Sequence, residues 1–453
     1  MEIIEEKSDF ILKIWPNQPI CTNKTYRKLK YIREIETKYG YLLFNLIIGE
    51  MVLLDSNEKE KFFNPVDLTD EFTLYLIKNW YLVPFDNDDL AISKKLISIC
   101  KSINSVYTAP KIKTFTILPT TDCNAHCFYC YEHGCEKKFM SKKTAQDVVS
   151  YIMKNKSDGY ITLRWFGGEP LYNFKVIDYI CDKLNDFHVN FVSKMISNAY
   201  LFDEDMIIRA KDRWKLNKIQ ITIDGTEDIY NRTKAYIYKN SESPFKKVLN
   251  NAENLIKNNI EVHFRLNMDI HNTDDLFKLS DYLLQKFKKY DNCYIYPHLL
   301  YDYANRPIGN RDEYYLNRKF LDLKAKLNVK TIKINPNAHT LRLCTHCMAD
   351  TDTSIMILPD GKLGKCEHFL DEKFIGNIYD NKVDIQLLND FKTMDVPLPK
   401  CDACEVRPAC VHPVCCPSRK RICSDIDKKT FIKNLDNHIF NVFRSKVGFK
   451  NET

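Results

Sequence analysis

Three cysteines stand close together in the segment TDCNAHCFYCYEHGC, which covers residues 121–135. Cys123, Cys127 and Cys130 have the spacing C-x3-C-x2-C and come directly after FTILPT, an apolar run that is typical of a β-strand. Three thiolates on one loop can bind three irons of a four-iron cluster and leave the fourth iron open to a reactant. A structural zinc site is the alternative, and it needs a fourth ligand. The candidates for that ligand are the other metal-binding side chains of the segment: His126, His133 and Cys135.

Glycines and polar residues come at the ends of the following strand-like runs as well. After ITLRWF, Gly167 and Gly168 allow a close backbone approach to a ligand, and Glu169 offers an acceptor for an ammonium group. The next three runs end in further polar residues: Ser197 with Asn198, Asp224 with Arg232, and Arg265 with Asn267. A plain strand-to-helix turn is the alternative for the glycine segment, and a buried structural ion pair is the alternative for the two arginines.

Repeated strand–helix units must position these residues. From residue 111 to about 327, six apolar strand-like runs alternate with amphipathic segments such as SKKTAQDVVSYIMKNK, which places Val148, Val149 and Ile152 on one face. Such alternation predicts an α/β fold with parallel strands and crossover helices. Six units favour a partial (β/α)6 TIM-like barrel over a complete eight-fold one, with a doubly wound open sheet as the alternative. Barrels of this kind collect their chemistry at the carboxyl ends of the strands.

Composition narrows the range of partners and compartments. The 453 residues carry a net charge of +7 without a basic block, so we expect no nucleic-acid partner. The longest apolar stretch, YLLFNLIIGEMVLL, is too short to span a bilayer, and the acidic N-terminal segment lacks the layout of a signal peptide. We therefore expect a cytoplasmic protein with no membrane partner. In that compartment its 17 cysteines should be metal ligands or free thiols rather than disulfides.

A second group of nine cysteines occupies residues 344–423. Cys347 is separated from Gly361 by thirteen residues, and four more residues precede Cys366. CDACEVRPAC then supplies a C-x2-C-x5-C pattern. Pairs of the C-x2-C type are also common zinc ligands, so zinc is the alternative to iron–sulfur clusters here.

The first cysteine loop, with Tyr129 directly before its last cysteine, resembles the motif of the radical S-adenosylmethionine (SAM) superfamily. The resemblance implies that Cys123, Cys127 and Cys130 bind a [4Fe–4S] cluster whose open iron holds the amino and carboxylate groups of SAM. It places Tyr129 against the adenine of SAM. It also implies that the polar residues at the later strand ends bind SAM: Gly167, Gly168, Glu169, Ser197, Asn198, Asp224, Arg232, Arg265 and Asn267.

The second cysteine group resembles the SPASM domain that follows the barrel in many members of this superfamily. The resemblance implies two auxiliary [4Fe–4S] clusters. The ligands implied for the first are Cys344, Cys347, Cys366 and either Cys415 or Cys416. Those implied for the second are Cys401, Cys404, Cys410 and Cys423. Glu367 occupies a position where some relatives have an acidic catalytic residue, and a solvent-facing acid is the alternative.

Four domains follow from the pattern and the resemblance. Residues 1–105 are predicted to form a winged-helix-like peptide-recognition module, with a structural brace as the alternative. Residues 111–327 form the predicted radical SAM partial barrel, 330–425 the cysteine-rich SPASM domain, and 426–453 a C-terminal helix. Members with this order often bind a leader peptide at the edge of the N-terminal hairpin. Here YLLFNLII or EMVLLD is the predicted receiving edge.

The resemblance implies an oxidoreductase that modifies a ribosomally made precursor peptide, a RiPP maturase. Its favoured product is an intrapeptide thioether cross-link from a Cys sulfur to carbon. A carbon–carbon cross-link and formylglycine installation on a sulfatase are the alternatives within this class. An iron–sulfur DNA-binding regulator that senses redox state is the alternative from a different class. The implied partners are the precursor peptide with its leader and a reductant such as flavodoxin or ferredoxin.

Overall fold

The computed structural model describes residues 1–7, 9–65, 68–105, 111–238, 242–300, 310–331, 348–380, 382–392, 399–410 and 425–447. The chain divides into two compact units. The first contains Met1–Thr108, Lys333–Cys347 and Met394–Thr453, and the second contains Ala109–Ile332 and Met348–Thr393. This division falls inside the predicted SPASM segment, and the four predicted domain boundaries stay predictions. No helix among the described residues has the length and apolar character that a membrane span requires.

The first unit begins with short strands and helices. In chain order they are β1 (Glu2–Glu5), α1 (Asp9–Ile14), β2 (Tyr26–Lys28), β3 (Ile32–Thr37), β4 (Gly40–Asn45), β5 (Met51–Leu54), α2 (Ser56–Phe63), α3 (Glu71–Lys78), β6 (Leu82–Pro84) and α4 (Asp89–Ser105). Aspartates begin two of the helices: Asp55 caps α2 in a capping box with Glu58, and Asp70 caps α3.

Four of these strands form an antiparallel sheet in the order β1–β5–β4–β3, and β2 pairs with β6. The predicted receiving edge for a leader peptide is therefore wrong. YLLFNLII contains β4 and EMVLLD contains β5, and both strands are already paired on two sides. The strands at the edges of this sheet are β1 and β3.

The second unit is built from repeated strand–helix units. Its elements are β7 (Thr114–Thr120), α5 (Lys142–Asn155), β8 (Ile161–Gly167), α6 (Phe174–Asp186), β9 (Phe191–Ser197), α7 (Glu204–Ile208), β10 (Leu216–Thr222), α8 (Glu227–Lys234), α9 (Pro244–Lys257), β11 (Glu261–Met268), α10 (Thr273–Phe287), β12 (Cys293–Leu299) and α11 (Asn310–Thr331). The next elements are β13 (Ser354–Ile357), β14 (Lys362–Gly364), β15 (Gly376–Asn377) and α12 (Ile385–Lys392).

These strands form a nine-stranded sheet in the order β12–β11–β10–β9–β8–β7–β13–β14–β15. Strands β7 to β12 are parallel and follow one another in sequence order, as six strand–helix units require. Among the described residues β12 and β15 do not pair, so the barrel is not closed. The consecutive order of β7 to β12 has no reversal, unlike a doubly wound sheet, and the predicted partial barrel is confirmed. The segment PDG, residues 359–361, lies between β13 and β14, and β13 adds a further parallel neighbour beside β7.

The last elements of the chain belong to the first unit. They are α13 (Pro399–Asp402) and α14 (Asp425–Lys446). Helix α14 buries Ile439 and Phe443 in the same hydrophobic core as the N-terminal sheet. Its Asp436 carboxylate accepts two hydrogen bonds from the guanidinium of Arg33 on β3, at 3.0 and 2.9 Å.

Candidate functional site

The predicted cluster loop begins where β7 ends, at the carboxyl edge of the parallel sheet. Its first turn is held by short-range hydrogen bonds, since Asp122 N–H donates to Thr120 Oγ1 and Cys123 N–H donates to Asp122 Oδ1, both at 2.9 Å. Cys130 N–H donates to the carbonyl of Cys127 at 3.1 Å and closes the last turn. The sequence folds this way locally because short polar side chains can satisfy backbone groups that have left the strand.

Burial dominates the ionisation of the three thiols. It raises the pKa of Cys123 to about 12 and that of Cys130 to about 11, and it raises the pKa of Cys127 as well. The charges of Glu169, Cys127 and Cys130 contribute to the raised pKa of Cys123 after burial, so the thiols are close enough to influence one another. Iron binds thiolates, and its positive charge favours the ionised form that this buried loop otherwise disfavours. The donor set therefore fits a bound cluster.

A site for a single metal ion requires ligands that converge on one point. Among the described residues, no three His, Cys, Asp or Glu side chains form a group that could hold one metal ion. In a four-iron cluster each thiolate binds its own iron, so the three sulfurs need not converge on one point.

The two glycines after β8 are packed against the cluster loop. A Cβ atom added at Gly167 would lie 2.2 Å from the carbonyl oxygen of Thr120, and one added at Gly168 would lie 2.2 Å from that of Asp122. Gly167 also has φ +114, a conformation that side chains rarely adopt. The close approach expected at these glycines is therefore made with the backbone of the loop itself.

Glu169 is a fully buried carboxylate at the end of β8. It accepts hydrogen bonds from Ser197 Oγ at 2.9 and 3.0 Å, from Asn198 N–H at 2.9 Å and from Leu171 N–H at 3.1 Å. Burial raises the pKa of Glu169 to about 7 in spite of these neutral donors and of the more distant charge of Lys234. A buried carboxylate whose hydrogen-bond donors are neutral is a fitting partner for a ligand ammonium group.

Ser197 and Asn198, two of the residues predicted to bind SAM, make contacts within the protein. The hydroxyl of Ser197 is directed at Glu169. Asn198 Nδ2 donates to Asn124 Oδ1 on the cluster loop at 2.7 Å, and Asn198 Oδ1 accepts from Tyr200 N–H at 3.0 Å. Strand β9 therefore braces both the carboxylate and the loop.

Asp224, after β10, belongs to a buried group that also contains Tyr129 and Lys234. The hydroxyl of Tyr129 lies 2.9 and 2.8 Å from the two carboxylate oxygens of Asp224. Lys234 Nζ lies 2.9 Å from Asp224 and donates to the hydroxyl of Tyr129 at 3.0 Å. Arg232, the residue predicted from this segment, is exposed on α8.

Strand β11 contributes two polar side chains, Arg265 and Asn267, which are alternate residues of the strand and therefore point to the same face of the sheet. Arg265 Nη2 lies 2.9 Å from His298 Nδ1 on β12. The Nε atom of Arg265 and the Oδ1 atom of Asn267 are buried and have no hydrogen-bond partner among the described residues. Buried polar atoms of this kind usually have a partner, so both atoms fit a polar ligand.

Glu367 lies in the second unit, directly after Cys366. Its carboxylate is 4.0 Å from Arg164 on β8. Burial and, after it, the charge of Glu367 raise the pKa of Glu132, two residues after Cys130, to about 8. Glu367 is therefore close to the cluster loop, and its catalytic role stays a prediction.

Several predicted cluster ligands fall outside the described residues: Cys344, Cys347, Cys415, Cys416 and Cys423. Cys401, Cys404 and Cys410 lie in the first unit, where Cys404 N–H donates to the carbonyl of Cys401 at 3.1 Å. Cys366 lies in the second unit. The assignment of these cysteines to two auxiliary clusters stays a prediction.

Sequence reasoning missed Lys234, Asn124 and Leu171, whose backbone N–H donates to Glu169. Lys234 had a usable signal, because it ends the same segment, IDGTEDIYNRTK, that supplied Asp224 and Arg232. Which of the two basic residues is buried depends on the face that α8 turns to the sheet. Asn124 is an ordinary polar loop residue, and nothing in its sequence context marks it.

Part of the parallel sheet is similar to known proteins. Residues 117–283 match the family described as Radical SAM superfamily. An uncharacterized protein of Methanocaldococcus jannaschii is 34% identical over 119 residues, which are 26% of this chain and 40% of that protein. The radical SAM cyclopropyl synthase TigE of Paramaledivibacter caminithermalis is 24% identical over 181 residues, which are 36% of this chain and 37% of TigE. The chain thus spans less than half the length of each.

Solved structures share the fold at low sequence identity. Native anSMEcpe with bound AdoMet has a TM-score of 0.57 and 18% identity, and the alignment covers 73% of this chain and 99% of that one. Native anSMEcpe with bound AdoMet and Kp18Cys peptide has the same TM-score and 16% identity, with 74% and 100% covered. At this identity the likeness concerns the fold alone.

Proposed function

We propose that the chain is an enzyme that modifies a peptide by radical chemistry. The match of residues 117–283 to the Radical SAM superfamily supports this proposal and agrees with the superfamily that the cysteine loop predicts. Cys123, Cys127 and Cys130 would hold a [4Fe–4S] cluster, which would supply one electron to bound SAM for the cleavage of a carbon–sulfur bond and the removal of a hydrogen from the substrate. The protein positions, shields and tunes these groups.

The observation that carries the proposal is the position of Glu169 beside the cysteine loop. Its carboxylate is fully buried, its hydrogen-bond donors are neutral, and its charge acts on the thiol of Cys123. A ligand ammonium group would compensate this charge, which is costly to bury alone. Cys123, Cys127 and Cys130 would hold the cluster, and Glu169 would bind the amino group of SAM.

Arg265 and Asn267 support a second contact region for the same ligand. The unpartnered Nε of Arg265 can donate to a carboxylate, and the unpartnered Oδ1 of Asn267 can accept from a hydroxyl or an amine. Tyr129 would lie against the adenine. Its ring is fixed for that task because its hydroxyl is bound by Asp224 and Lys234.

A peptide is the substrate class we favour. One of the similar solved structures has a bound Kp18Cys peptide, and the chain has a separate N-terminal unit whose sheet has edge strands at β1 and β3. We propose a ribosomally made precursor peptide whose leader segment binds that unit. The favoured product is a thioether from a Cys sulfur to carbon, and a carbon–carbon cross-link and formylglycine are the alternatives. Glu367 would accept a proton from the substrate, and two auxiliary clusters and a flavodoxin or ferredoxin would handle electrons.

Anaerobic reconstitution tests the cofactor chemistry. The protein is loaded with iron and sulfide, both are counted, and 5′-deoxyadenosine is measured after addition of SAM and dithionite. We expect cleavage of SAM by the wild type and none by Cys123→Ala, Cys127→Ala or Cys130→Ala. A well-loaded wild-type protein that forms no 5′-deoxyadenosine would refute the proposal.

Cys135→Ala is the matched control, because Cys135 lies on the same segment but pairs with Asp371. This variant should keep both its iron and its cleavage activity. Loss of cleavage with Cys135→Ala alone would show that the cluster ligands are assigned wrongly. Zinc in place of iron in the loaded protein would favour the structural-site alternative. With a candidate precursor peptide, mass spectrometry after thiol alkylation and hydrazide labelling would distinguish the products: a thioether loses two hydrogens and one alkylatable thiol, whereas formylglycine carries an aldehyde that the hydrazide labels.

A further inference from the structure

Lys234 is a buried lysine in the second unit, at the last position of α8. Its side chain is 4% exposed, and that of its partner Asp224 is 1% exposed. The ammonium group lies 2.9 Å from Asp224 and 3.0 Å from the hydroxyl of Tyr129. Lysines are rarely buried so completely, and a buried ion pair is a weak means of stabilisation because desolvation offsets the attraction. Stabilisation of the fold by this ion pair therefore does not explain why Lys234 is buried.

The backbone around Lys234 is fastened to the cluster loop. The carbonyl oxygen of Lys234 accepts a hydrogen bond from His126 N–H at 2.9 Å. Ala235 then turns into the left-handed region with φ 43 and ends the helix, and Ile237 N–H donates to the carbonyl of Asn124 at 3.0 Å. Both hydrogen bonds join the segment after α8 to residues between Cys123 and Cys127. The cation is thus held rigidly against the loop.

The ammonium group stays charged in this position. Burial alone would lower the pKa of Lys234, but the carboxylate of Asp224, 2.9 Å away, outweighs burial and holds the pKa well above its usual range. The ammonium group also donates to Tyr129, which lies between Cys127 and Cys130 in the sequence, so the positive charge is close to the cluster loop.

We propose that Lys234 is a positioning residue that fixes Tyr129 and the cluster loop, and that its buried ammonium raises the reduction potential of the cluster held by Cys123, Cys127 and Cys130. This inference rests on the proposed function, because it requires that cluster. A fixed positive charge in a weakly polar interior favours the state that carries the additional electron. The nearby carboxylate of Asp224 acts in the opposite direction.

Potentiometric titration of the reconstituted cluster, followed by electron paramagnetic resonance, tests the inference. Lys234→Met keeps the length and apolar stem of the side chain and removes its charge, so the potential should fall. At the wild-type midpoint, the ratio of reduced to oxidised cluster should drop by roughly tenfold. Lys234→Arg should keep the wild-type potential. Asp224→Asn should raise the potential, since it removes the opposing charge and keeps an acceptor for Tyr129.

The opposite signs of the two shifts separate a charge effect from a structural one. Damage to the loop would move Lys234→Met and Asp224→Asn in the same direction, and that result would overturn the inference. Lys246→Met is the control, because Lys246 is 67% exposed on α9 and pairs with Glu227. Its potential should equal that of the wild type.

Two further outcomes are decisive. If the Lys234→Met protein takes up no iron, the reduction potential of Asp224→Asn decides: a higher potential than in the wild type supports the inference, and an equal or lower one contradicts it. Equal potentials in all variants with intact clusters would overturn this inference and leave the proposed function standing. Wild-type protein that assembles no cluster would overturn both.

Discussion

Ser197 donates its hydroxyl hydrogen to the carboxylate of Glu169, with Oγ 2.9 and 3.0 Å from the two carboxylate oxygens. Ser197 is the last residue of β9, Glu169 lies two residues after the end of the neighbouring strand β8, and both are buried. The contact fixes the orientation of a carboxylate that also accepts from the backbone N–H groups of Asn198 and Leu171. Neighbouring strand ends thus cooperate to hold one charged group beside the cysteine loop.

Removal of the Ser197 hydroxyl should lower the stability of the folded protein. Ser197→Ala leaves a buried carboxylate with one donor fewer, and we expect the free energy of unfolding to fall by about 1–3 kcal/mol. Denaturant unfolding of the metal-free protein measures this change. Ser150→Ala is the control, because Ser150 is exposed on α5 and bonds only locally to the carbonyl of Gln146. A loss in Ser197→Ala no larger than in Ser150→Ala would contradict the importance given to this contact.

The charge of Glu169 should matter more for SAM than for folding. Glu169→Gln keeps an oxygen that accepts from Ser197 and Asn198, but it removes the negative charge that would bind an ammonium group. We expect the affinity for SAM to fall roughly tenfold to a hundredfold, the range expected for a charge-assisted hydrogen bond. Equilibrium dialysis of reconstituted protein measures the affinity, and the thermal unfolding of the variant checks the fold. Unchanged affinity in a folded variant would remove Glu169 from the SAM site.

The pH dependence of Glu169 has two parts of opposite sign. Its pKa is raised from 4.5 to about 7 in the folded chain. The stabilisation from its protonated form is fully present below 4.5 and is lost as the pH rises through about 7, because the folded chain then holds a proton that the unfolded chain releases. The difference in unfolding free energy between wild type and Glu169→Gln should therefore change across this range in metal-free protein.

The affinity for SAM should respond in the other direction. An ammonium group pairs with the ionised carboxylate, so binding should strengthen as the pH rises through about 7. In Glu169→Gln this rise should disappear. A wild-type affinity that is flat across the same range would show that Glu169 does not bind the amino group.

The sequence predicted the second unit well because its signals are local. Each strand of the parallel sheet is an apolar run that a helix follows, and strands β7 to β12 pair in sequence order, so no distant partner has to be found. The cysteine loop and the residues Gly168 and Glu169 follow consecutive strands, β7 and β8. For this part of the chain, periodicity and short motifs carry both the fold and the position of the site.

The edge strands of the first unit could not be predicted in the same way. Strand β1 is the short and polar segment Glu2–Glu5, and it pairs with β5, about fifty residues later. The residues EIIE do not indicate that pairing. Because β1 pairs with β5, β5 lies in the interior of the sheet rather than at its edge. Edge identity is a property of distant pairing rather than of local pattern.

Arg232 and Lys234 show the same limit inside a helix. Residues two positions apart on a helix point in directions that differ by about 200°, so only one of Arg232 and Lys234 can face the sheet. The segment IDGTEDIYNRTK contains both, and its polar composition does not reveal the buried face. Lys234 is buried because α8 ends there, where the following backbone bonds to the cluster loop. That choice depends on tertiary contacts.

Close packing at Gly168 should be essential for the cluster loop. A Cβ atom there would lie 2.2 Å from the carbonyl oxygen of Asp122 and 2.9 Å from that of Thr121, and both are backbone atoms that cannot rotate away. Gly168→Ala should therefore displace the loop, lower the unfolding free energy by about 1–3 kcal/mol, and reduce the iron bound per chain. Iron analysis and denaturant unfolding measure the two effects. Gly159→Ala is the control, because a Cβ atom at Gly159 meets nothing within 4 Å. Full iron content in Gly168→Ala would mean that the loop can form without this contact.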